Sequence, residues 1–248
     1  MHPFNLSGKT ILVTGASSGI GRQTALTLSQ MGAKLVISGQ SERRLNEILV
    51  ELENDEHLAF PADLTDSSQL AALTEQLPVL NGMAFCAGIW KSAPIKFLQP
   101  ELAIKLLQIN YLAPQALVSQ LLQQKKLQHR SSLVFVSSIA AQHPYKGGSA
   151  YAASKAALEA FSKTLSLEVA HIGIRSNCVA PAMVQTQIFE QSQNLVSENL
   201  MAQHAQQYPL GLGKPLDVAH AIAYLLSDAS EWITGTTLRL DGGLSVGA

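Results

Sequence analysis

A glycine-rich turn between a strand and a helix is the feature that most constrains the fold of this chain. Residues 9–14 form a short β-branched apolar run, which predicts a buried strand. The run ends in GASSGIG at residues 15–21, and helical spacing follows over residues 22–31. Glycines allow close approach of a ligand, and the free N–H groups at a helix start attract phosphate. The sequence therefore predicts a pyrophosphate site, with an ordinary glycine-rich βα turn as the alternative.

Strand-like and helical runs alternate along the rest of the chain, which predicts a parallel, doubly wound α/β sheet. Further strands are predicted at residues 34–38, 58–60, 83–86, 131–136, 175–179 and 236–240, and a last helix at 215–226. The chain has 248 residues, of which 47% are hydrophobic, and no repeat or linker interrupts it. We therefore expect one domain over residues 1–248.

Composition argues against several classes of protein. A net charge of -1 gives no attraction to nucleic acid or to an anionic membrane. Cys86 and Cys178 lie in apolar runs without a CxxC partner, so we expect reduced thiols and no metal site. The first residues lack the features of a signal peptide, and no apolar run is long enough to span a bilayer. A cytoplasmic protein is expected.

The end of the second predicted strand bears on which dinucleotide would bind. In a dinucleotide-binding fold, a carboxylate here accepts from the ribose 2′-hydroxyl and repels a 2′-phosphate. Gly39 offers no carboxylate, and the residues close to it are Gln40, Ser41, Arg43 and Arg44. This pattern favours NADP(H) over NAD(H). Solvated arginines on the next helix are an equal alternative.

Small and polar residues also follow the next two predicted strands. Asp63 fits a turn or a helix cap, and it also fits an acceptor for an adenine amino group. Ala87 and Gly88 permit close approach after the fourth strand. Because open α/β sheets bind ligands at the carboxyl ends of their strands, we expect these residues to border the site.

A proline falls inside a helix predicted over residues 101–123. Pro114 has no N–H and would clash with the carbonyl four residues back, which belongs to Asn110. The carbonyl of Asn110 is therefore freed. It either marks a kink only or holds an ordered water in a cleft.

Tyr151 and Lys155 stand at i and i+4 of a helix predicted to end near residue 171, so both side chains leave one face. A nearby cation lowers a tyrosine pKa of ~10 toward neutrality, which suits a general acid and base. Ser138 lies thirteen residues before Tyr151, and either it or Ser137 is expected to line the cleft, the other being a turn residue. Alone, the pair is weak evidence, since an amphipathic helix explains it as well.

The polar, glutamine-rich segment at residues 183–208 is only partly periodic and favours a substrate lid. A surface helical hairpin without function is the alternative. Candidate pocket residues on loops are Trp90, His143, Tyr145, Ile188 and Phe189.

These motifs together resemble the short-chain dehydrogenase/reductase family, from about Leu6 to Gly243. The likeness rests on the conjunction of Gly15, Gly19, Gly21, Asp63, Asn110, Ser138, Tyr151 and Lys155. It implies a single-domain Rossmann fold with seven parallel strands flanked by helices on both faces, commonly a homotetramer. It also implies hydride transfer between NADP(H) or NAD(H) and a small carbonyl compound or secondary alcohol.

The resemblance implies roles for individual residues. Tyr151 would be the general acid/base, and Lys155 would lower its pKa and hold the nicotinamide ribose. Ser138 would bind the substrate oxygen, and Asn110 would hold a water that links Lys155 to solvent. The implied cofactor-binding set is Gly15, Ser17, Ser18, Gly19, Ile20, Gly21, Gly39, Gln40, Asp63, Leu64, Cys86, Ala87, Gly88, Tyr151, Lys155, Pro181, Val184 and Thr186.

Three positions depart from the family pattern. Cys86 stands where asparagine is usual, which puts a stabilising hydrogen bond in doubt, and Ala182 stands where glycine is usual. Ser18 replaces a basic residue that NADP-dependent members often have, which weakens the preference for NADP(H).

Two other functions compete with a general carbonyl reductase. One is 3-oxoacyl-acyl-carrier-protein reductase, whose acidic partner needs a basic patch beside the cleft. Candidate residues for that patch are Lys125, Lys126, His129 and Arg130, but the later helix offers only His171 near its end, so this function ranks second. The other is a nucleotide sensor without chemistry, which would have no need of the Tyr151 and Lys155 pair.

Overall fold

Seven parallel strands of the described chain form one sheet, in the order β3-β2-β1-β4-β5-β6-β7. The computed structural model describes residues 2–54, 56–186 and 203–246. The strands are β1 Thr10–Thr14, β2 Lys34–Gly39, β3 Leu58–Pro61, β4 Leu80–Phe85, β5 Leu127–Val136, β6 Arg175–Pro181 and β7 Thr237–Leu240. The predicted parallel α/β fold is confirmed, with strand boundaries within about four residues of those expected.

Helices cover both faces of the sheet. They are α1 Gly19–Gln30, α2 Glu42–Leu49, α3 Ser67–Gln76, α4 Pro100–Leu107, α5 Ala113–Gln123, α6 Ser149–Val169 and α7 Pro215–Leu226. Side chains alternate along a strand, so Ile11 and Val13 of β1 pack in the cluster with α1 and α7, whereas Leu12 packs in the cluster with α3, α5 and α6. Burial on both faces explains why the strands are continuous apolar runs.

The strand order changes sides at β1. The chain adds β2 and β3 on one side of β1 and then places β4 on the other side. The loops that leave β1 and β4 diverge from this point. A crevice therefore opens at the carboxyl ends of these strands, where open α/β sheets bind ligands.

The helix predicted over residues 101–123 is divided in the structure. A π-helical turn, Gln108–Leu112, separates α4 from α5 and contains Asn110. Pro114 lies just inside α5 and lacks the N–H that an α-helix would direct to the Asn110 carbonyl. The predicted disturbance is therefore present, as a π turn in place of a simple kink.

None of the described helices is both long and apolar enough to cross a membrane. Of the predicted lid, residues 183–186 and 203–208 are described. Val184 pairs with Gly213 in an isolated bridge, and the Tyr208 hydroxyl accepts from the Met183 N–H at 3.3 Å. Ile188 and Phe189 lie outside the described residues.

Candidate active site

Ser138 and Tyr151 meet at the carboxyl edge of the sheet. Ser138 follows β5, and its hydroxyl is hydrogen-bonded to the Tyr151 phenol near the start of α6. The Ser138 hydroxyl also accepts from the Ala140 N–H at 3.2 Å, which fixes its orientation. Of the two neighbouring serines, Ser138 is thus the one that faces Tyr151.

Ser137, the other serine, was expected as a turn residue and instead binds a carboxylate. Its hydroxyl donates to Glu159 Oε1 at 2.8 Å and is buried. Ser137 is part of the sheet and not of a turn, because its backbone N–H donates to the carbonyl of Val179 on the adjacent strand at 2.8 Å. Glu159 was not expected at the site; its position eight residues after Tyr151, on the same face of the helix, was the available signal.

Lys155 is buried against β5. Its Nζ donates to the Val136 carbonyl at 2.8 Å and lies 5.9 Å from the centre of the Tyr151 ring. Burial lowers the pKa of Lys155 to about 8, because the charged form loses its hydration. The lysine is therefore close to its titration point at neutral pH.

The expected lowering of the Tyr151 pKa is wrong for this geometry. Burial raises the pKa of Tyr151 to about 12, and the hydrogen bond with Ser138 opposes that rise. The physical reason is that burial removes the hydration of the phenolate, and the neighbouring groups stabilise its charge by less than the hydration did. The Lys155 ammonium lies 5.9 Å from the ring centre and donates its hydrogen bond to Val136. Near neutral pH, Tyr151 is the protonated acid.

Asn110 is fully buried and holds the loop after β4 against α6. Its Oδ1 accepts from the Ile89 N–H at 2.9 Å, and its Nδ2 donates to the Ile89 carbonyl and to Ser154 Oγ, both at 3.0 Å. A Cβ on Gly88 would lie 3.1 Å from Asn110 Oδ1 and 3.4 Å from Lys155 Nζ. Glycine at this position thus lets the predicted residues Asn110 and Lys155 approach the same spot. Ser154, next to Lys155, was not anticipated.

The glycine turn packs so closely against its neighbours that side chains at Gly15 and Gly21 would clash with backbone atoms. Gly15 and Gly19 have φ of 64° and 54°, which favours glycine. A Cβ on Gly15 would lie 2.7 Å from Ala87 Cα, and one on Gly21 would lie 2.2 Å from the Gly15 carbonyl oxygen. Ser18 precedes α1, and its side chain makes no capping hydrogen bond with that helix. Because Ser18 does not cap them, the first N–H groups of α1 can bind a phosphate, so these residues fit a dinucleotide.

At the end of β2, some of the residues predicted near the adenosine ribose already have partners in the protein. Ser41 caps α2 by accepting from the Arg44 N–H, and Arg43 forms an ion pair with Glu47. The Arg44 side chain is exposed. Among the described residues it has no ion-pair partner, which leaves it as the basic group available here.

Asp63 follows β3 and forms a turn. Its Oδ1 accepts from the N–H and hydroxyl of Thr65 at 2.9 and 2.7 Å. These bonds, together with one from Gln40, hold the pKa of Asp63 below its usual value. Leu64 beside it is partly buried against the α3 and α5 side of the sheet. The turn role is present, and contact with adenine stays a prediction.

A cavity of about 820 Å³ opens beside Tyr151 and Lys155. Among its walls are the cofactor candidates Ile20, Cys86, Gly88, Pro181, Val184 and Thr186, and also Trp90, His143 and Tyr145. The Thr186 methyl lies 3.4 Å from where a Gly19 Cβ would stand, so the segment after β6 covers the start of α1. Trp90 Nε1 donates to the Tyr145 hydroxyl, which joins two loops at one wall. Trp90, His143 and Tyr145 were correctly predicted to line the pocket.

The structure accommodates the unusual residues. Burial raises the pKa of the Cys86 thiol to about 12, so the side chain is a neutral, apolar wall of the cavity. Ala182 has no positive φ and donates its N–H to the Leu240 carbonyl at 2.9 Å, so glycine is not required there.

The basic patch predicted for a carrier protein is not beside this cavity. Residues 125–130 lie at the amino end of β5, and Ser138 lies beyond its carboxyl end. Ten residues of strand separate the two edges by roughly 30 Å. Lys126 also donates to backbone carbonyls of Glu75 and Leu77, and Arg130 pairs with Glu231. Among the described residues, the lysines that line the cavity are Lys155 and Lys146, and Lys146 lies on the exposed loop before α6.

Comparisons with known proteins agree with this architecture. A family model described as Enoyl-(Acyl carrier protein) reductase matches residues 15–245. The chain is 34% identical over 243 residues to 3-oxoacyl-[acyl-carrier-protein] reductase FabG of Rickettsia conorii, covering 97% of this chain and 98% of that protein. It is 30% identical over 253 residues to 2,5-dichloro-2,5-cyclohexadiene-1,4-diol dehydrogenase LinX of Sphingobium indicum, covering 98% of each.

Solved structures give the same result. A dehydrogenase/reductase from Sinorhizobium meliloti superposes with a TM-score of 0.88 at 28% identity, covering 98% of this chain and 97% of that one. The chain belongs to the short-chain dehydrogenase/reductase family. It is an NAD(P)-dependent oxidoreductase, so the alternative of a sensor without chemistry is set aside.

Proposed function

We propose that this enzyme interconverts a small carbonyl compound and its secondary alcohol with NADP(H). The observation that supports it best is the hydrogen bond between Ser138 and Tyr151 at the wall of a cavity that also contains Lys155. Two adjacent hydroxyl groups at the wall of a cavity suit a substrate oxygen. The glycine turn from Gly15 to Gly21 supplies the adjoining phosphate site.

The bound nicotinamide would supply or accept the hydride. The protein residues position the substrate and move a proton. In reduction, Ser138 donates a hydrogen bond to the substrate carbonyl oxygen, and Tyr151 transfers its phenolic proton to that oxygen. With a pKa of about 12, Tyr151 holds this proton at neutral pH. The reverse reaction returns the proton from the alcohol to the phenolate.

Lys155 and Asn110 support the proton transfer. The Lys155 ammonium, with a pKa of about 8, is largely charged at pH 7 and stabilises the phenolate that Tyr151 leaves. Asn110 fixes the Ile89 backbone and Ser154 Oγ around Lys155. Its role in holding a water stays a prediction. Backbone and side chains at Pro181, Val184 and Thr186 would bind the carboxamide.

Replacement of Tyr151 by phenylalanine tests the proposal. Because the variant lacks the proton, we expect kcat to fall by about 100-fold or more. The Kd for NADPH, measured by fluorescence titration, should stay within about threefold, since the glycine turn is untouched. Tyr111→Phe is the matched control, because Tyr111 packs on Phe161 away from the cavity. Full turnover in Tyr151→Phe would contradict the assigned role.

A second candidate is reduction of a 3-oxoacyl group on an acyl-carrier protein. The similarity to the Rickettsia conorii enzyme favours it, as does Lys146 at the cavity wall, which would attract an acidic partner. Lys146→Glu should raise KM for a carrier-bound substrate by about tenfold and leave KM for a small ketone unchanged. Absence of turnover with acetoacetyl thioesters and either cofactor would exclude this candidate.

We also propose that the chain is a single domain with a substrate lid at residues 183–208. We further propose that it assembles as a homotetramer. Ile104 of α4 and Leu167 of α6 are 54% and 81% exposed, which supports burial between subunits. Analytical ultracentrifugation measures the assembly, and a monomer at micromolar concentration would contradict it. The cytoplasmic location stays a prediction.

A further inference from the structure

Glu159 is a buried carboxylate that the proposed chemistry does not use. It lies on α6 at i+4 from Lys155 and i+8 from Tyr151, on the same face of the helix. Its exposed fraction is 5%. A buried carboxylate costs free energy unless donors satisfy it, so its partners indicate its role.

The two partners of Glu159 lie on either side of Ser138. Oε1 accepts from Ser137 Oγ at 2.8 Å, and Oε2 accepts from Gln142 Nε2 at 3.0 Å. Between these two donors the chain forms a short 3-10 turn, Ile139–Ala141, which Ser138 caps. One carboxylate of α6 thus holds both ends of the segment that carries Ser138.

This arrangement connects the two halves of the site. Ser138 reaches the site from β5, whereas Tyr151 and Lys155 reach it from α6, and the loop that joins the two elements is largely exposed. The hydrogen bonds of Glu159 are side-chain contacts between the Ser138 segment and the tyrosine helix, made one turn beyond Lys155. The two carboxylate oxygens of Glu159 bind Ser137 and Gln142, so Glu159 acts on the Ser138 hydroxyl through its neighbours in the chain.

We propose that Glu159 is a positioning residue, which sets the separation of the Ser138 and Tyr151 hydroxyls by binding Ser137 and Gln142. The proposal rests on the proposed function, because it assigns these hydroxyls to the substrate oxygen. A displacement of reacting groups by about 1 Å can cost on the order of 100-fold in rate. Loss of the Glu159 contacts should therefore appear in kcat.

Three variants of α6 separate positioning from stability. Glu159→Ala removes both acceptors, and we expect kcat to fall about 10- to 100-fold while the Kd for NADPH changes less than about threefold. Glu159→Gln should restore kcat to within about threefold, because its oxygen can accept from Ser137 and its NH₂ can donate to a rotated Gln142 amide. Glu168→Ala is the control, since Glu168 is exposed on the same helix.

The crystal structure of Glu159→Ala tests the geometry without any turnover. The separation of Ser138 Oγ and Tyr151 Oη should increase relative to the wild-type crystal structure. An unmoved Ser138 would overturn the proposal, and so would a wild-type kcat in Glu159→Ala or an equal loss in Glu159→Gln. If Tyr151→Phe keeps full turnover, the proposed function fails, and the crystal structure still decides whether Glu159 positions Ser138.

Discussion

The ammonium of Lys155 donates to the backbone carbonyl of Val136 at 2.8 Å. This bond ties α6 to the strand that delivers Ser138 two residues later. It also holds a buried cation in a region that disfavours charge, since burial lowers the pKa of Lys155 to about 8 from its ordinary 10.5. Stability therefore depends on pH through this residue.

The sign of that dependence follows from proton binding. Between pH 8 and 10.5 the unfolded chain keeps the lysine proton and the folded chain releases it, so the free energy of unfolding rises with pH. Below pH 8 the folded state carries the full cost of the buried charge, on the order of 3 kcal/mol for this shift. Lys155→Met should therefore have a higher free energy of unfolding than the wild type at pH 7. The loss of the hydrogen bond to Val136 reduces this gain by about 1 kcal/mol.

Urea unfolding of both proteins from pH 7 to 10 measures this effect. The stability difference between Lys155→Met and the wild type should shrink as the pH rises through 8. Lys163→Met, which changes an exposed lysine of the same helix, should show a constant difference. Parallel curves for Lys155→Met and the wild type would show that the lysine does not titrate in this range.

Cofactor choice should be reversed by Gly39→Asp. A Cβ on Gly39 would lie 3.4 Å from Ser17 Oγ, which is an ordinary contact, and the backbone there has ordinary φ, so a side chain can begin at this position. Its carboxylate would accept from a ribose 2′-hydroxyl and repel a 2′-phosphate. We expect the ratio of kcat/KM for NADPH to that for NADH to fall by about 100-fold, which corresponds to roughly 2.7 kcal/mol. Gly39→Ala is the control for the added side chain, and an unchanged ratio in Gly39→Asp would place the 2′ position elsewhere.

Arg44 should carry the contact with a 2′-phosphate. Both arginines are exposed on the same turn of α2, but Arg43 is paired with Glu47. Arg44→Ala should raise KM for NADPH about tenfold and leave KM for NADH unchanged, because one charge-assisted contact is lost. Arg43→Ala is the matched control and should affect both cofactors equally. An equal change in KM for NADPH and for NADH in Arg44→Ala would leave both arginines in the role of solvated helix residues.

The glycine turn should tolerate no methyl group at Gly15. Gly8 and Gly15 both have positive φ, at 79° and 64°, but a Cβ on Gly8 meets no atom within 4 Å. Gly8→Ala should therefore lose about 1–2 kcal/mol of unfolding free energy from backbone strain alone. Gly15→Ala should lose at least about 1–3 kcal/mol more, because its methyl would lie 2.7 Å from Ala87 Cα. Thermal unfolding followed by circular dichroism compares them, and equal losses would mean that Ala87 can move away.

Much of the site was predictable because its residues stand at the carboxyl ends of strands. Gly15, Gly88 and Ser138 follow β1, β4 and β5 and meet at one edge of the sheet, where α6 adds Tyr151. Parallel strands bring such strand ends together whatever the loops do. The carrier-protein patch at residues 125–130 was misplaced although it precedes the strand predicted at 131–136. Residues before a parallel strand lie at the amino edge of the sheet, opposite the edge that binds ligands.

The sequence by itself determined the order of the elements, the glycine turn and the Tyr151 and Lys155 pair, because these depend on periodicity and on spacing within a few residues. Only the tertiary structure decided the protonation of that pair and the partners of Ser137. A pKa depends on burial and on atoms far along the chain, such as Val136 against Lys155, and burial moved the Tyr151 pKa up when the local i, i+4 pair predicted a fall. For the same reason Glu159 gained a role only when folding brought it to Ser137 and Gln142.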